Sequence, residues 1–224
     1  MVHTLDRASL KAQCRELLQT AQVSPKGLTA LYCGLSLVLN LVDYAAGSFA
    51  SNGGPELLSM FASVFTMLAG WILATGFALY CMGIRQREIM DYGTLFDGFS
   101  FTGKIIALNF VMNFFICLWS MLFVIPGVIA YYRYSQAIYI LVDDPTKSPM
   151  QCIRESKAMM AGHKGELFAL DLSFLGWYLL SLIPMFGYAV RVWTVPYIGM
   201  TKTLYFEALR SGAAYTRDTF NFDI

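Results

Sequence analysis

The chain alternates between long apolar segments and short polar ones. Six segments consist almost entirely of apolar residues, namely 28–46, 57–84, 105–125, 128–142, 167–183 and 189–209. A helix that crosses a bilayer needs ~20 such residues, so the second segment is long enough to tilt or protrude and the fourth is short. Pro126-Gly127 and Pro184 break the apolar run. The pattern predicts an all-α, polytopic membrane helix bundle with six transmembrane helices.

The segment before the first span has the periodicity of an amphipathic helix. Within residues 5–21 one face is apolar and the basic residues flank it. The apolar face comprises Leu10, Cys14, Leu17, Leu18 and Ala21, and the flanking residues are Arg7, Lys11 and Arg15. We interpret residues 1–27 as a cytoplasmic helix lying on the inner membrane surface, with packing on a soluble partner as the alternative. No cleavable signal peptide is visible in these residues.

Basic residues are concentrated on one side of the predicted spans. All 16 Lys and Arg residues except Arg133, Arg191 and Lys202 precede span one, follow span six, or lie between spans two and three or four and five. Because cytoplasmic loops carry the excess of Lys and Arg, both termini are predicted to be inside. The predicted domains are therefore the N-terminal helix, a membrane domain over 28–210 and a cytoplasmic tail over 211–224. Ser51 and Asn52 are predicted to face outside.

Composition agrees with a lipid environment. Hydrophobic residues make up 57% of the 224 residues and charged residues 14%, against about 25% charged in soluble domains. The net charge of +1 argues against a nucleic-acid partner, because phosphate binding needs a concentrated basic surface. The five cysteines and two histidines have no metal-ligand spacing, so no cofactor or metal is expected.

The six spans read as three hairpins, each preceded by a polar segment and a Lys beside a Gly. The last two hairpins match in detail: Ile125-Pro126 is followed by Arg133 and Tyr139, and Ile183-Pro184 by Arg191 and Tyr197 at the same offsets. A duplication of this kind would relate the hairpins by an axis along the membrane normal. Chance agreement in so apolar a chain is the alternative.

Three stretches carry a resemblance to a known family: LFVIPGVIAYYRYSQAIYILVDDP (122–145), IRESKAMMAGHKGELFALDLSFLGW (153–177) and VPY (195–197). They resemble a bacterial integral membrane family catalogued as a domain of unknown function, number nine hundred and seventy-five of its series. That family is distantly similar to the membrane domains attached to some glycerophosphodiester phosphodiesterases. The resemblance implies a six-helix fold in the bacterial cytoplasmic membrane and brings no catalytic residues or cofactor. Asp171 stands where the resemblance leads us to expect an apolar or aromatic residue.

Charges inside spans are costly and therefore mark candidate functional positions. They are Asp43, Arg133, Asp171, Arg191, Lys202 and Glu207. Asp43 lies close enough to its turn to reach the outer surface, and Glu207 can pair with Arg210 at i+3. Asp171 and Lys202 can pair with each other.

Arg133 and Arg191 have three possible roles: snorkelling to the outer surface, a buried ion pair, or an anionic ligand site. In the third, two guanidinium groups at equivalent depth hold a phosphate near Tyr131, Tyr132, Tyr134 and Gln136. The ligand-binding hypothesis therefore comprises Arg133, Arg191, Tyr132, Gln136, Asp171 and Lys202.

The polar segment after span four predicts a further helix. Ser148, Pro149 and Gln151 have the spacing of a capping box with proline in the first turn, and Asp143-Asp144 before Pro145 indicates a helix stop. We interpret this helix as lying on the membrane surface, with a docking surface for another protein as the alternative.

No Walker loop, GxSxG, HExxH or pair of catalytic carboxylates is recognisable. The expected function is a non-enzymatic, multi-pass protein of the bacterial inner membrane that binds or moves a lipid-like or amphiphilic molecule, as a transporter or transporter-associated subunit. The expected partners are membrane lipids and another membrane protein or a second copy of the chain. The alternative is a structural or immunity-type module that acts through protein contacts, and a membrane-embedded hydrolase ranks third.

Overall fold

A computed structural model describes the backbone of residues 7–20, 24–86, 91–181 and 186–220. Within these ranges the regular structure is entirely helical. The helices are α1 (Arg7–Thr20), α2 (Pro25–Ser51), α3 (Glu56–Gln86), a 3-10 helix (Tyr92–Phe101), α4 (Thr102–Leu122), α5 (Val124–Tyr134), α6 (Ala137–Asp143), α7 (Pro149–Met159), α8 (Lys164–Leu172), α9 (Leu175–Leu180) and α10 (Phe186–Phe220).

Three segments are long and apolar enough to cross a membrane: α2, α3, and the continuous Tyr92–Leu122 segment that comprises the 3-10 helix and α4. They correspond to the first three predicted spans. α2 and α3 pack against each other, and Asn52 caps the end of α2. Asp43 on α2 accepts a hydrogen bond from Ser63 on α3 at 2.6 Å, so its carboxylate has a partner within the protein.

The N-terminal helix α1 packs on the protein rather than presenting its apolar face outward. Leu10 and Cys14 on that face are buried against α10 and α3. Lys11 donates a hydrogen bond to Ser173 at 2.9 Å, and the Cys14 thiol donates one to the Tyr197 carbonyl at 3.4 Å. The chain's own helices therefore cover the described part of the apolar face, which excludes Ala21, and the position of α1 at the inner membrane surface stays a prediction.

The third predicted span ends earlier than expected. α4 ends at Leu122 and α5 begins at Val124, although Pro126 stands four residues after Leu122. A proline ring clashes with the carbonyl four residues earlier in a helix, so the helix must be interrupted before the proline. Pro126 then lies in the first turn of α5, where it is tolerated. At Gly127 a Cβ atom would lie 2.1 Å from Ser120 Oγ, so α5 approaches α4 closely only because residue 127 is glycine.

The fourth and fifth predicted spans are each divided into two helices. The fourth is interrupted at Ser135-Gln136, between α5 and α6, and the fifth at Ser173-Phe174, between α8 and α9. The predictions of single helices over 128–142 and 167–183 were therefore wrong. The sequence at these breaks contains neither proline nor glycine. The end predicted at Pro184 lies outside the described residues.

The predicted stop and cap around α7 are confirmed. α6 ends at Asp143, and Ser148 caps α7 by accepting a hydrogen bond from the Gln151 amide at 3.3 Å. In return the Gln151 side chain accepts one from the Ser148 amide at 2.8 Å, which completes the capping box. The apolar face of α7, including Cys152, packs on α4, α5 and α6 rather than on an external surface.

α10 is the longest helix among the described residues and extends to Phe220, ten residues beyond the predicted end of the membrane domain. The cytoplasmic position of residues 211–224 stays a prediction. Pro196 lies within it. Its side chains contribute to both apolar clusters of the core. One cluster joins α10 to α1, α2, α3 and α8 around Tyr80, Tyr205 and Phe174, and the other joins Phe206 to α4, α6 and α7.

The ends of α2 and α4 and the starts of α3 and α5 lie outside this core. Large apolar side chains there are exposed, among them Phe61 on α3 at 72% and Met121 on α4 at 83%. Water would solvate such a surface poorly, whereas lipid would cover it at no such cost. These parts of α2, α3, α4 and α5 therefore carry the surface expected of membrane-embedded helices.

Candidate functional site

Two of the predicted intramembrane charges form an ion pair. Lys202 on α10 places its ammonium nitrogen 3.0 Å from Asp171 Oδ1 on α8. The side chains are 24% and 16% exposed, so the pair is largely shielded from solvent. Shielding lowers the local dielectric constant and strengthens the attraction between the two groups. The mutual pairing considered from the sequence is thus the arrangement found.

Tyrosine side chains lie near this pair. Tyr132 on α5 is within electrostatic range of Asp171, and its ring makes an edge-to-face contact with Phe168 on α8, with 5.8 Å between the ring centroids. Tyr131, Tyr139 and Tyr178 lie within electrostatic range of Lys202. Phenol groups can donate to a carboxylate while their rings remain in apolar surroundings. The Asp171–Lys202 pair thus joins α8 to α10, and tyrosines of α5, α6 and α9 lie near it.

Arg133, the neighbour of Tyr132, is not part of this pairing. Its side chain is half-buried on α5, and Ile129 and Tyr131 on the same helix are about half exposed. Among the residues that the structure describes, no hydrogen bond or ion pair of the Arg133 guanidinium is found. An arginine on an otherwise apolar helix surface thus has donors that the described part of the protein does not occupy.

Gln136 lies at the interruption between α5 and α6 and is buried. Its backbone amide donates to Ser156 Oγ on α7 at 3.2 Å, and Ser156 in turn donates to the Arg133 carbonyl at 3.0 Å. The Gln136 side chain donates to Ser135 Oγ at 3.1 Å, whereas its oxygen Oε1 has no hydrogen-bond partner within the described ranges. One hydroxyl from α7 therefore satisfies backbone groups on both sides of the helix break.

Arg191 lies in a different part of the bundle from Arg133. It is exposed on α10 and lies within electrostatic range of Tyr32 and Cys33 on α2. Trp193, two residues later, makes a cation–π contact with Lys26 in the first turn of α2. The Lys26 ammonium nitrogen lies 3.7 Å from the centroid of the Trp193 ring. The structure thus brings Asp171, Lys202 and Tyr132 together and places Arg191 beside α2. That Arg133 and Arg191 lie at matching depth stays a prediction.

Glu207 and Arg210, which the sequence analysis paired with each other, each form an ion pair with a residue of another helix. Glu207 on α10 pairs with Arg85 at the end of α3, with 2.7 Å between Arg85 Nε and Glu207 Oε2. Arg210 pairs with Asp143 at the end of α6. The predicted Glu207–Arg210 pair was therefore wrong, because partners on neighbouring helices compete with the i+3 neighbour. The sequence contains a signal for these pairs. Opposite charges lie at the ends of predicted spans two, four and six, and the predicted topology places all three ends on the same side of the membrane.

The structure bears on metal binding and on the reactivity of two buried cysteines. No group of three or more His, Cys, Asp or Glu residues that could hold a metal ion occurs among them. Burial raises the pKa of the Cys14 thiol to about 11 and also raises the pKa of Cys152. Both thiols are therefore protonated at neutral pH and are poor nucleophiles.

Comparison with curated proteins gives no match, and comparison with solved structures gives none either. Residues 121–213, which extend from the end of α4 into α10, match a protein family. This stretch contains all six residues of the predicted ligand site and also Asp143, Glu207 and Arg210. The matching family is described as protein of unknown function (DUF975).

Proposed function

We propose that this chain is a multi-pass protein of a bacterial cytoplasmic membrane that binds an anionic, lipid-like molecule through Arg133. The observation that carries the proposal is the Arg133 guanidinium, which has no counter-ion among the described residues although it lies on a helix with exposed apolar neighbours. A charge in such surroundings is costly unless an anion accompanies it. The phosphate of a lipid or amphiphile would supply that anion together with apolar chains for the surrounding surface.

The proposed topology has six spans in three hairpins with both termini in the cytoplasm. In this topology the third span ends outside the cell. The segment from Lys147 to Lys164 is rich in basic residues and is therefore expected in the cytoplasm, so α5 and α6 must carry the chain back across the membrane. Backbone that is not helical is tolerated at membrane depth only where protein covers it, and the hydrogen bonds of Ser156 fit that condition. Exposed apolar residues such as Leu175 and Leu179 support a further crossing by α8 and α9.

Cysteine labelling tests this topology in a background without the native cysteines. An impermeant reagent added to intact cells should label Ser51→Cys and Ser181→Cys but not Arg154→Cys. Labelling of Ser51→Cys without Ser181→Cys would limit the protein to four spans. Labelling of Arg154→Cys from outside would refute the orientation itself.

Substitutions of Arg133 separate ligand binding from snorkelling. A lysine that snorkels keeps its charge and long stem, so Arg133→Lys should then leave the bound lipids unchanged. A phosphate held by two parallel hydrogen bonds needs the planar guanidinium, so binding predicts that Arg133→Lys loses co-purifying anionic lipid while the protein stays folded. Native mass spectrometry measures the lipid and thermal unfolding measures the fold.

Arg154→Lys and Arg154→Ala provide the matched controls, because Arg154 is exposed on α7. Equal lipid retention in wild type, Arg133→Lys and Arg133→Ala would end the lipid-binding proposal. Arg191→Ala belongs in the same series: loss of the same lipid would extend the site to Arg191, and retention would confine it to Arg133. We further propose that the chain is distantly similar to the membrane domains of some glycerophosphodiester phosphodiesterases, as the family resemblance implies.

A further inference from the structure

A cleft of about 410 Å³ lies between α1, α3 and α10. No residue of α5, the helix that carries Arg133, lines it. Leu10 and Leu204 contribute apolar lining, and Arg85, Arg210 and Ser211 contribute polar lining. The Arg85 and Arg210 side chains are 45% and 56% exposed, so solvent reaches them. The proposed topology places this cleft at the cytoplasmic side of the membrane.

Both arginines are positioned by carboxylates that occupy only part of each guanidinium group. Arg85 directs Nε toward Glu207, and Arg210 donates through Nη1 to Asp143. A guanidinium has five N–H donors, so each arginine retains further donors beyond these contacts. Glu207 also lines the cleft, and its charge is offset by Arg85. Asp143 offsets Arg210 in the same way, so the attraction for an anion rests on the N–H donors that both oriented guanidinium groups retain, not on an excess of positive charge.

We propose that this cleft binds a phosphate group, supplied either by the headgroup of a lipid in the inner leaflet or by a free phosphate compound. Arginine forks match the geometry of phosphate oxygens and form charge-assisted hydrogen bonds with them. The apolar residues beside the arginines suit the glycerol or carbon part of the ligand. α1 forms one wall of the cleft and is held in place by the Lys11–Ser173 and Cys14–Tyr197 hydrogen bonds.

This site is independent of the ligand proposed at Arg133. It involves α1 and α3, whereas Arg133 lies on α5. Substitutions at Arg133 should therefore leave binding in the cleft unchanged, and substitutions in the cleft should not change lipid retention at Arg133. Failure of one proposal is thus distinguishable from failure of the other.

The test uses the full chain in maltoside micelles, which contain no phosphate. One titration adds inorganic phosphate at constant ionic strength, and a second adds lysophosphatidic acid. Binding is measured from the rise in the thermal unfolding midpoint and from adducts in native mass spectrometry. Wild type should bind at least one probe, and loss of each arginine should weaken binding about tenfold or more. A rise in the unfolding midpoint with inorganic phosphate but not with lysophosphatidic acid identifies a free phosphate compound as the ligand. A rise only with lysophosphatidic acid identifies a lipid headgroup.

The variants are chosen so that folding and binding can be separated. Arg85→Gln with Glu207→Gln removes one ion pair as a unit, so neither charge is stranded. Ala208→Trp fills the cleft without changing any charge and should abolish binding in the same way. Lys157→Gln removes an exposed positive charge elsewhere and should bind like wild type. Absence of binding in wild type, or equal binding in wild type and the cleft variants, would overturn the proposal.

Discussion

The Lys202 ammonium lies 3.0 Å from the Asp171 carboxylate and connects α10 to the last turn of α8. Asp171 is two residues before the interruption at Ser173-Phe174, so the ion pair fixes α8 just where its helix ends. The Tyr132 ring of α5 packs against Phe168 on α8, one turn before Asp171. The ion pair thus joins α8 to α10, and an aromatic contact joins α8 to α5.

Removal of either charge of this pair should destabilise the protein strongly. Lys202→Met leaves the Asp171 carboxylate shielded without a partner, and Asp171→Leu leaves the Lys202 ammonium in the same position. Breaking such a pair costs about 3–5 kcal/mol when it is fully buried, and the residual exposure places the expected cost near the lower value. Thermal and denaturant unfolding in detergent would measure it.

The double variant Asp171→Leu, Lys202→Met provides the control. It strands no charge, so its stability should be closer to that of wild type than either single variant is. Additive losses of stability in the double variant would show that the two side chains contribute independently and that the ion pair is not what holds α8 to α10.

Local sequence signals predicted several elements of this fold correctly. α2 and α3 follow from uninterrupted apolar runs, and the start of α7 follows from Ser148, Pro149 and Gln151. Each of these signals lies within a few residues of the structure that it determines. The Asp171–Lys202 pair could be named because few charges occur in apolar segments, which leaves few candidates for a partner.

The interruptions within the fourth and fifth spans could not be predicted in the same way. The break at Ser135-Gln136 depends on Ser156, a residue 20 positions later that hydrogen-bonds the backbone on both sides. The partner of Glu207 is likewise Arg85 on another helix rather than Arg210 one turn away. The position of a helix break and the partner of a charged residue thus depend on how the helices pack. The pattern of neighbouring residues along the chain does not predict that packing.

Replacement of Ser156 by alanine tests the support of the α5–α6 break. Without the hydroxyl, the buried Gln136 amide loses its acceptor and the Arg133 carbonyl loses a donor. An unsatisfied buried group costs about 1–3 kcal/mol, so Ser156→Ala should lower the free energy of unfolding by that amount. Ser59→Ala is the matched control, because Ser59 is bonded only to the Glu56 carbonyl in its own helix. Equal stability of the two variants would contradict the role of Ser156.

Asp144 should make stability depend on pH in the acidic range. Its carboxylate accepts hydrogen bonds from the Thr146 hydroxyl and amide, which lower the pKa of Asp144 below its ordinary value. A lowered pKa in the folded state stabilises the fold above the unfolded-state pKa and loses that contribution as pH falls through the folded-state value. The difference in unfolding midpoint between wild type and Asp144→Asn should therefore be present at neutral pH and disappear in acid. A difference that persists unchanged to low pH would contradict this assignment.

The contact between α3 and the 3-10 helix depends on two glycines. A Cβ atom at Gly76 would lie 2.0 Å from the Leu95 carbonyl oxygen, and one at Gly98 would lie 2.9 Å from the Ile72 carbonyl oxygen. Because both obstacles are backbone atoms, Gly76→Ala must push the 3-10 helix away from α3, at a cost of about 1–3 kcal/mol. Gly70→Ala on the same helix meets no atom within 4 Å and should be neutral or stabilising, since alanine favours helix by up to about 1 kcal/mol. Thermal unfolding of the two variants, with cysteine cross-linking between α3 and residues 94–98 as a measure of contact, distinguishes these outcomes. Equal stability and equal cross-linking would show that α3 and the 3-10 helix do not pack this closely in the membrane.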